Sequence, residues 1–120
     1  SLYNQAITAS LNQFGISNSA TITAYLAQPA VQYNPANFRQ SIGVQKWIAL
    51  FGQGLEAFAE WRRLDYPQLL PAVAGTLDGK MPVRYLYPGS EQSLNAKSYK
   101  AAVARQGTDA LITKLWFDIN

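Results

Sequence analysis

The chain has 120 residues, 48% of them hydrophobic and 14% charged, with a net charge of +3, which fits one domain or part of one more comfortably than a fully wetted small domain. It has no Cys and no His, which excludes disulfides, thiolate zinc sites and the usual general base at neutral pH. Its ten basic residues are scattered along the sequence, unlike the concentrated basic face of a nucleic-acid binder, and no run of about 20 apolar residues is present to span a bilayer.

The opening Ser-Leu-Tyr has no initiator Met, basic stretch or apolar run, so the chain reads as an internal or C-terminal fragment whose targeting signals lie outside it. Tyr3, Ile7, Leu11 and Phe14 form an apolar stripe at helical spacing, and Gly15 is a good stop. A second helix is predicted from a cap at Asn18 or Ser19 through Ile22, Tyr25 and Leu26 to Gln28-Pro29. Val31 to Tyr33 reads as an extended connection, and Asn34-Pro35 as a cap with proline at the first helical position.

From there a central helix is expected to run through Phe38, Ile42 and the stretch Gln45 to Pro67, about 30 residues or roughly 45 Å if straight. Trp47, Ile48, Phe51, Leu55, Phe58 and Trp61 follow helical steps, while Ala49, Leu50, Ala57 and Ala59 fill the gaps. That pattern is apolar nearly all round and predicts burial among neighbouring helices, with Trp47, Phe51, Leu55, Phe58 and Trp61 as core. Gly52 and Gly54 predict a bend or short break. Glu56 and Glu60 near the start of the second half and Arg62 and Arg63 at its end complement a helix dipole.

Between Pro67 and Gly89, prolines and glycines recur too often for regular structure, which predicts a long ordered loop with room for one short strand at Val83 to Tyr87. Asn95 is the expected cap of a helix Ala96 to Gln106 ending at Gly107, with Tyr99 and Val103 inward and Lys97 and Lys100 outward. In the tail Asp109 to Asn120, Leu111, Ile112, Leu115 and Trp116 fit either a short helix or a chain end laid over the body. The sequence contains no internal repeat.

Glu56 and Glu60 sit on adjacent turns of one helix face, so they do not flank a bond as the two carboxylates of a glycoside hydrolase do. They read as ion-pair partners of Arg63 and Arg84, and no catalytic residue is assigned. Of Arg62 and Arg63, beside Trp61, one is expected over an aromatic ring or on the carbonyls at the helix end, the alternative being a guanidinium fork for an anionic sugar or phosphate. Tyr85 and Tyr87 alternate with Arg84 and Leu86, so an extended backbone puts both rings on one side. With Trp116 they are the candidate ligand contacts, because aromatic faces stack on the apolar faces of sugar rings.

The run Gln45-Lys46-Trp47-Ile48-Ala49-Leu50-Phe51, then Leu55 to Arg63 and Tyr66-Pro67, resembles the C-terminal part of SusD/RagB-like lipoproteins. Further landmarks fall in the same order: Pro82 to Pro88, Glu91, Leu94-Asn95, Tyr99, Val103 to Gly107 and Leu115-Trp116-Phe117-Asp118. Leu64-Asp65 stands where that family often has Thr-Gly, and Val83 where a basic residue is common. The family's lipid-bearing Cys and most of its helical repeats are not in this sequence. The resemblance implies an all-α fold, mainly helical with long ordered loops, as the C-terminal part of a SusD-like fold containing tetratricopeptide-like helix pairs. Residues 1–120 would form a single segment of it.

It further implies a non-catalytic, surface-exposed lipoprotein of the outer membrane, held there by a lipid anchor outside this chain. Its partners would be an oligosaccharide or other nutrient and a SusC-type TonB-dependent transporter, with no nucleic acid, cofactor or metal. The alternative is a helical-repeat module that scaffolds protein partners, with a hydrolase built on Glu56 and Glu60 as the outsider.

Overall fold

A computed structural model of the chain describes residues 1–118. Its secondary structure is helical, with no strand among the described residues, and the chain divides into two compact units, Ser1–Gln68 and Leu69–Asn120.

The first unit opens with α1, Leu2–Gln13, whose first turn is capped by Ser1: Asn4 N donates to Ser1 Oγ. Ile7 is buried, and Gly15 leaves the helix with φ +83°, a conformation cheap only for glycine. In α2, Ser19–Leu26, Asn18 Oδ1 accepts from Thr21 N at 3.0 Å, and Ile22 points inward. The connection after α2 is turned, not extended: Val31 N donates to the Gln28 carbonyl at 2.9 Å and the Val31 side chain is buried. Tyr3 Oη donates to the Val31 carbonyl at 2.7 Å, tying α1 to that turn.

Asn34 caps a single 3-10 turn, Pro35–Asn37, and Asn37 then caps α3, Phe38–Ala49. The central helix therefore starts after a second cap, at Phe38 and not at Pro35. It is also not one rod. Gly52 takes φ +84° and the chain reverses into α4, Gly54–Leu64. Lys46 pairs with Glu60, and Gly43 lies against Leu64 and Tyr66, so contacts pair in opposite sequence order and α3 and α4 form an antiparallel hairpin.

This hairpin corrects the expected core. The buried stripe of α4 is Ala57, Trp61 and Leu64, and Phe58 is half-buried with its ring stacked on Trp61 at 6.1 Å. Phe51 and Leu55 are 81% and 75% exposed, and Trp47 and Ile48 lie at the exposed edge of α3. The physical reason is the turn itself. Folding the two halves against each other covers only the stripe that faces the partner helix, and the reversal leaves Phe51 and Leu55 at the tip.

Asp65 ends α4 with φ 56°, donating its N–H to the Trp61 carbonyl at 2.8 Å, while Trp61 Nε1 donates to the Pro67 carbonyl at 3.1 Å. Arg62 lies 4.3 Å above the Phe58 ring and bonds the Phe58 carbonyl through Nε.

The second unit begins with an irregular segment that carries no strand at 83–87. Val83 N and Arg84 N both donate to one carbonyl, that of Leu111, at 2.8 and 3.3 Å. Prolines at 82 and 88 lack the N–H that would extend such pairing into a ladder. A six-residue helix not expected from the sequence, α5 (Gly89–Leu94), follows and packs on α6 (Ala96–Gln106). Asn95 precedes α6 as expected but makes no side-chain cap bond; its amide donates to Glu91 Oε2 at 2.8 Å instead. Gly107, at φ +96°, ends α6, and the tail to Asp118 forms turns without a helix.

Candidate functional site

The second unit is organised around Asp109. Because Gly107 turns the chain sharply at the end of α6, Asp109 comes back beside the segment that hangs on the Leu111 carbonyl. Its Oδ1 accepts from Arg84 Nη2 at 3.1 Å and from Tyr87 N at 3.2 Å, and its Oδ2 accepts from Tyr99 Oη at 3.3 Å. Arg84 spends its remaining donors on the Tyr85 carbonyl and on the Gln106 carboxamide oxygen. Its guanidinium lies 5.2 Å from the Tyr87 ring centre, and that ring meets Tyr99 edge-on at 5.7 Å. Burial and the neighbouring Asp109 charge push the Tyr99 hydroxyl above its ordinary range.

Beside this node lies a hollow of about 420 Å³ lined by Tyr87, Ala102, Arg105, Gln106, Lys114, Leu115 and Trp116. Trp116 is 88% exposed, with its edge against Phe117. Lys114 Nζ donates to Asp118 Oδ1 at 3.1 Å, and the Asp118 side chain is buried. Two of the three candidate ligand contacts, Tyr87 and Trp116, thus share one hollow. Tyr85 is exposed and lies outside it, since no extended strand forms to align it with Tyr87.

The expected ion-pair set is rearranged. Glu60 pairs with Arg63 at 2.7 Å and with Lys46 at 2.9 Å. Burial alone would raise its carboxyl, but the hydrogen bonds and charges of Arg63 and Lys46 hold it below the usual range. Glu56 is exposed and makes no ion pair among the described residues; it sits about two helical turns from Arg63, roughly 10 Å along α4. Arg84 is committed to Asp109. Sequence reasoning missed Asp109, Tyr99, Arg105, Gln106 and Lys114 as a group; the available signal was the cluster of polar side chains on either side of Gly107.

A second cavity, of about 240 Å³, lies between α1, α2 and α3 in the first unit and is lined mostly by apolar side chains including Tyr3, Ile7, Leu11, Ile42 and Ile48. Among the described residues no cluster of three or more His, Cys, Asp or Glu is placed to hold a metal ion, and no helix is long and apolar enough to cross a membrane.

These features define an all-α scaffold whose polar network and open hollow are carried by loops and one helix end. A family model described as "SusD-like_2: Starch-binding associating with outer membrane" matches residues 1–88, and the chain belongs to this SusD-like family. Among solved structures it is similar to a Bacteroidetes AC2a SusD-like protein, at 29% identity and a TM-score of 0.88, over 98% of this chain and 25% of that one. It is also similar to a chitin-binding protein, at 33% identity and a TM-score of 0.83, over 98% and 28% of the two chains. A SusD homolog from Bacteroides fragilis NCTC 9343, at 24% identity and a TM-score of 0.76 over 96% and 29%, shares the fold. The chain therefore spans about a quarter of the length of these structures. No curated protein matches it.

Proposed function

We propose that this chain is the C-terminal segment of a nutrient-binding, surface-exposed outer-membrane lipoprotein that captures a glycan and passes it to a SusC-type TonB-dependent transporter. It acts by recognition without chemistry. The observation that carries this reading is the family match over residues 1–88; the likeness to a chitin-binding protein supports a saccharide as cargo. The buried Arg84–Asp109 node supports a stabilising role for the polar residues, since their donors and acceptors are spent on one another.

The test is made on the full-length protein. It is expected to co-purify with a TonB-dependent transporter and to bind an oligosaccharide by calorimetry. Absence of both would overturn the proposal.

The exposed apolar tip of the α3–α4 hairpin, with Phe51 and Leu55, favours the second reading, a helical scaffold for protein partners. Retention of a protein partner that is not a transporter, with no glycan bound, would select it.

A further inference from the structure

We infer that the hollow beside α6 takes an anionic sugar unit, a carboxylated or sulfated residue of an oligosaccharide; this rests on the glycan-binding reading above. Three observations lead to it. Trp116 presents nearly its whole indole to solvent on the wall of a concave site. An indole face stacks on the apolar C–H face of a pyranose, and the Tyr87 ring on the same wall offers a second such surface.

Arg105, on α6, is exposed and makes no ion pair among the described residues. Its planar fork matches a carboxylate or sulfate in two parallel hydrogen bonds. Lys114 on the same wall is held by Asp118 at 3.1 Å, so the net positive charge of the rim comes from Arg105. The nearby Arg84 charge is already neutralised by Asp109. Finally, a volume of about 420 Å³ lies within the size range of small-ligand pockets.

The cavity of the first unit makes the contrast. Its walls are mostly apolar and its one cation, Lys46, pairs with Glu60, so it offers an anionic sugar nothing comparable. A neutral sugar would use the Trp116 and Tyr87 faces of the hollow without satisfying Arg105. The charge is therefore what gives the hollow its selectivity.

The experiment uses the full-length protein and titrates tetragalacturonate, sulfated carratetraose and maltotetraose by calorimetry. At least one anionic oligosaccharide should bind more tightly than maltotetraose. Arg105→Gln should weaken the anionic ligand about tenfold and leave the neutral one unchanged, while Trp116→Ala should weaken whatever binds. Both side chains are exposed, so the variants keep the wild-type melting temperature. Preference for tetragalacturonate assigns the carboxylate as the ligand group, and preference for carratetraose the sulfate.

Equal affinity for all three, an equal loss for all three in Arg105→Gln, or anionic binding untouched by both variants would overturn the inference. The glycan-binding reading would survive each of those results. It would fall only if the full-length protein bound no oligosaccharide across a broad glycan panel.

Discussion

Arg84 and Asp109, 25 positions apart in sequence, meet with Nη2 and Oδ1 at 3.1 Å and side chains only 5% and 6% exposed. Removing one partner strands the other charge away from water, whereas removing both leaves only packing to repair. Asp109→Asn is therefore expected to cost about 3–5 kcal/mol in urea unfolding. Arg84→Met combined with Asp109→Leu should cost clearly less than either charge-stranding single variant. A double variant as damaged as the sum of its singles would show that the pair is not coupled.

A methyl group at position 43 has nowhere to go. A Cβ built on Gly43 would lie 2.7 Å from Tyr66 Cβ and 3.1 Å from the Tyr66 carbonyl oxygen. Gly43→Ala gains about 1 kcal/mol of helix propensity but forces overpacking that costs about 1–3 kcal/mol, and here the contact includes rigid backbone. Net destabilisation is expected, read as a lower melting temperature. A stabilised variant would mean that α3 and the segment after α4 are not in close contact.

Leu64 and Phe51 separate the hairpin from a straight rod. Leu64 is 3% exposed while Phe51 is 81% exposed. In the 120-residue chain Leu64→Ala should cost about 2–5 kcal/mol, and Phe51→Ala should stay within about 0.5 kcal/mol of wild type. Comparable losses at the two positions would place Phe51 in a core.

Glu60 should make stability sensitive to acid. Its carboxyl is held below the usual range in the folded chain, so the folded state binds this proton less readily than the unfolded state does. The contribution is present above the unfolded carboxyl's pKa of about 4.3 and is lost as pH falls through the lower folded value. Lys46 and Arg63 are each nearly half exposed, so the effect is at most about 1 kcal/mol. Unfolding free energies measured from pH 7 to pH 3 should fall more steeply for wild type than for Glu60→Gln. Parallel curves would remove Glu60 from the account.

Local signals were the legible part of this fold. The cap at Asn18, the stops at Gly15 and Gly107 and the break at Gly52 are set by one or two residues and appear where the sequence placed them, whereas Asn34 caps a 3-10 turn and leaves the start of the central helix to Asn37. What was not legible depended on reversal of the chain. Periodicity marks Trp47, Phe51, Leu55, Phe58 and Trp61 as apolar, but only the antiparallel return of α4 decides that Trp61 is inside and Phe51 outside. Trp116 and Tyr87 could be chosen as aromatics, yet their shared hollow depends on Gly107 bringing the tail back beside α6. Asp109 gave no periodic signal at all, because its partners lie at positions 84, 87 and 99.

The left-handed residue at the tip of the hairpin also marks a seam. Gly52 has open space where a side chain would sit, and its neighbours Phe51 and Gln53 are both solvent-facing. Extra chain spliced in beside it would loop outward without disturbing the register of the two helices, so an epitope tag or a circular-permutation break is best accommodated there.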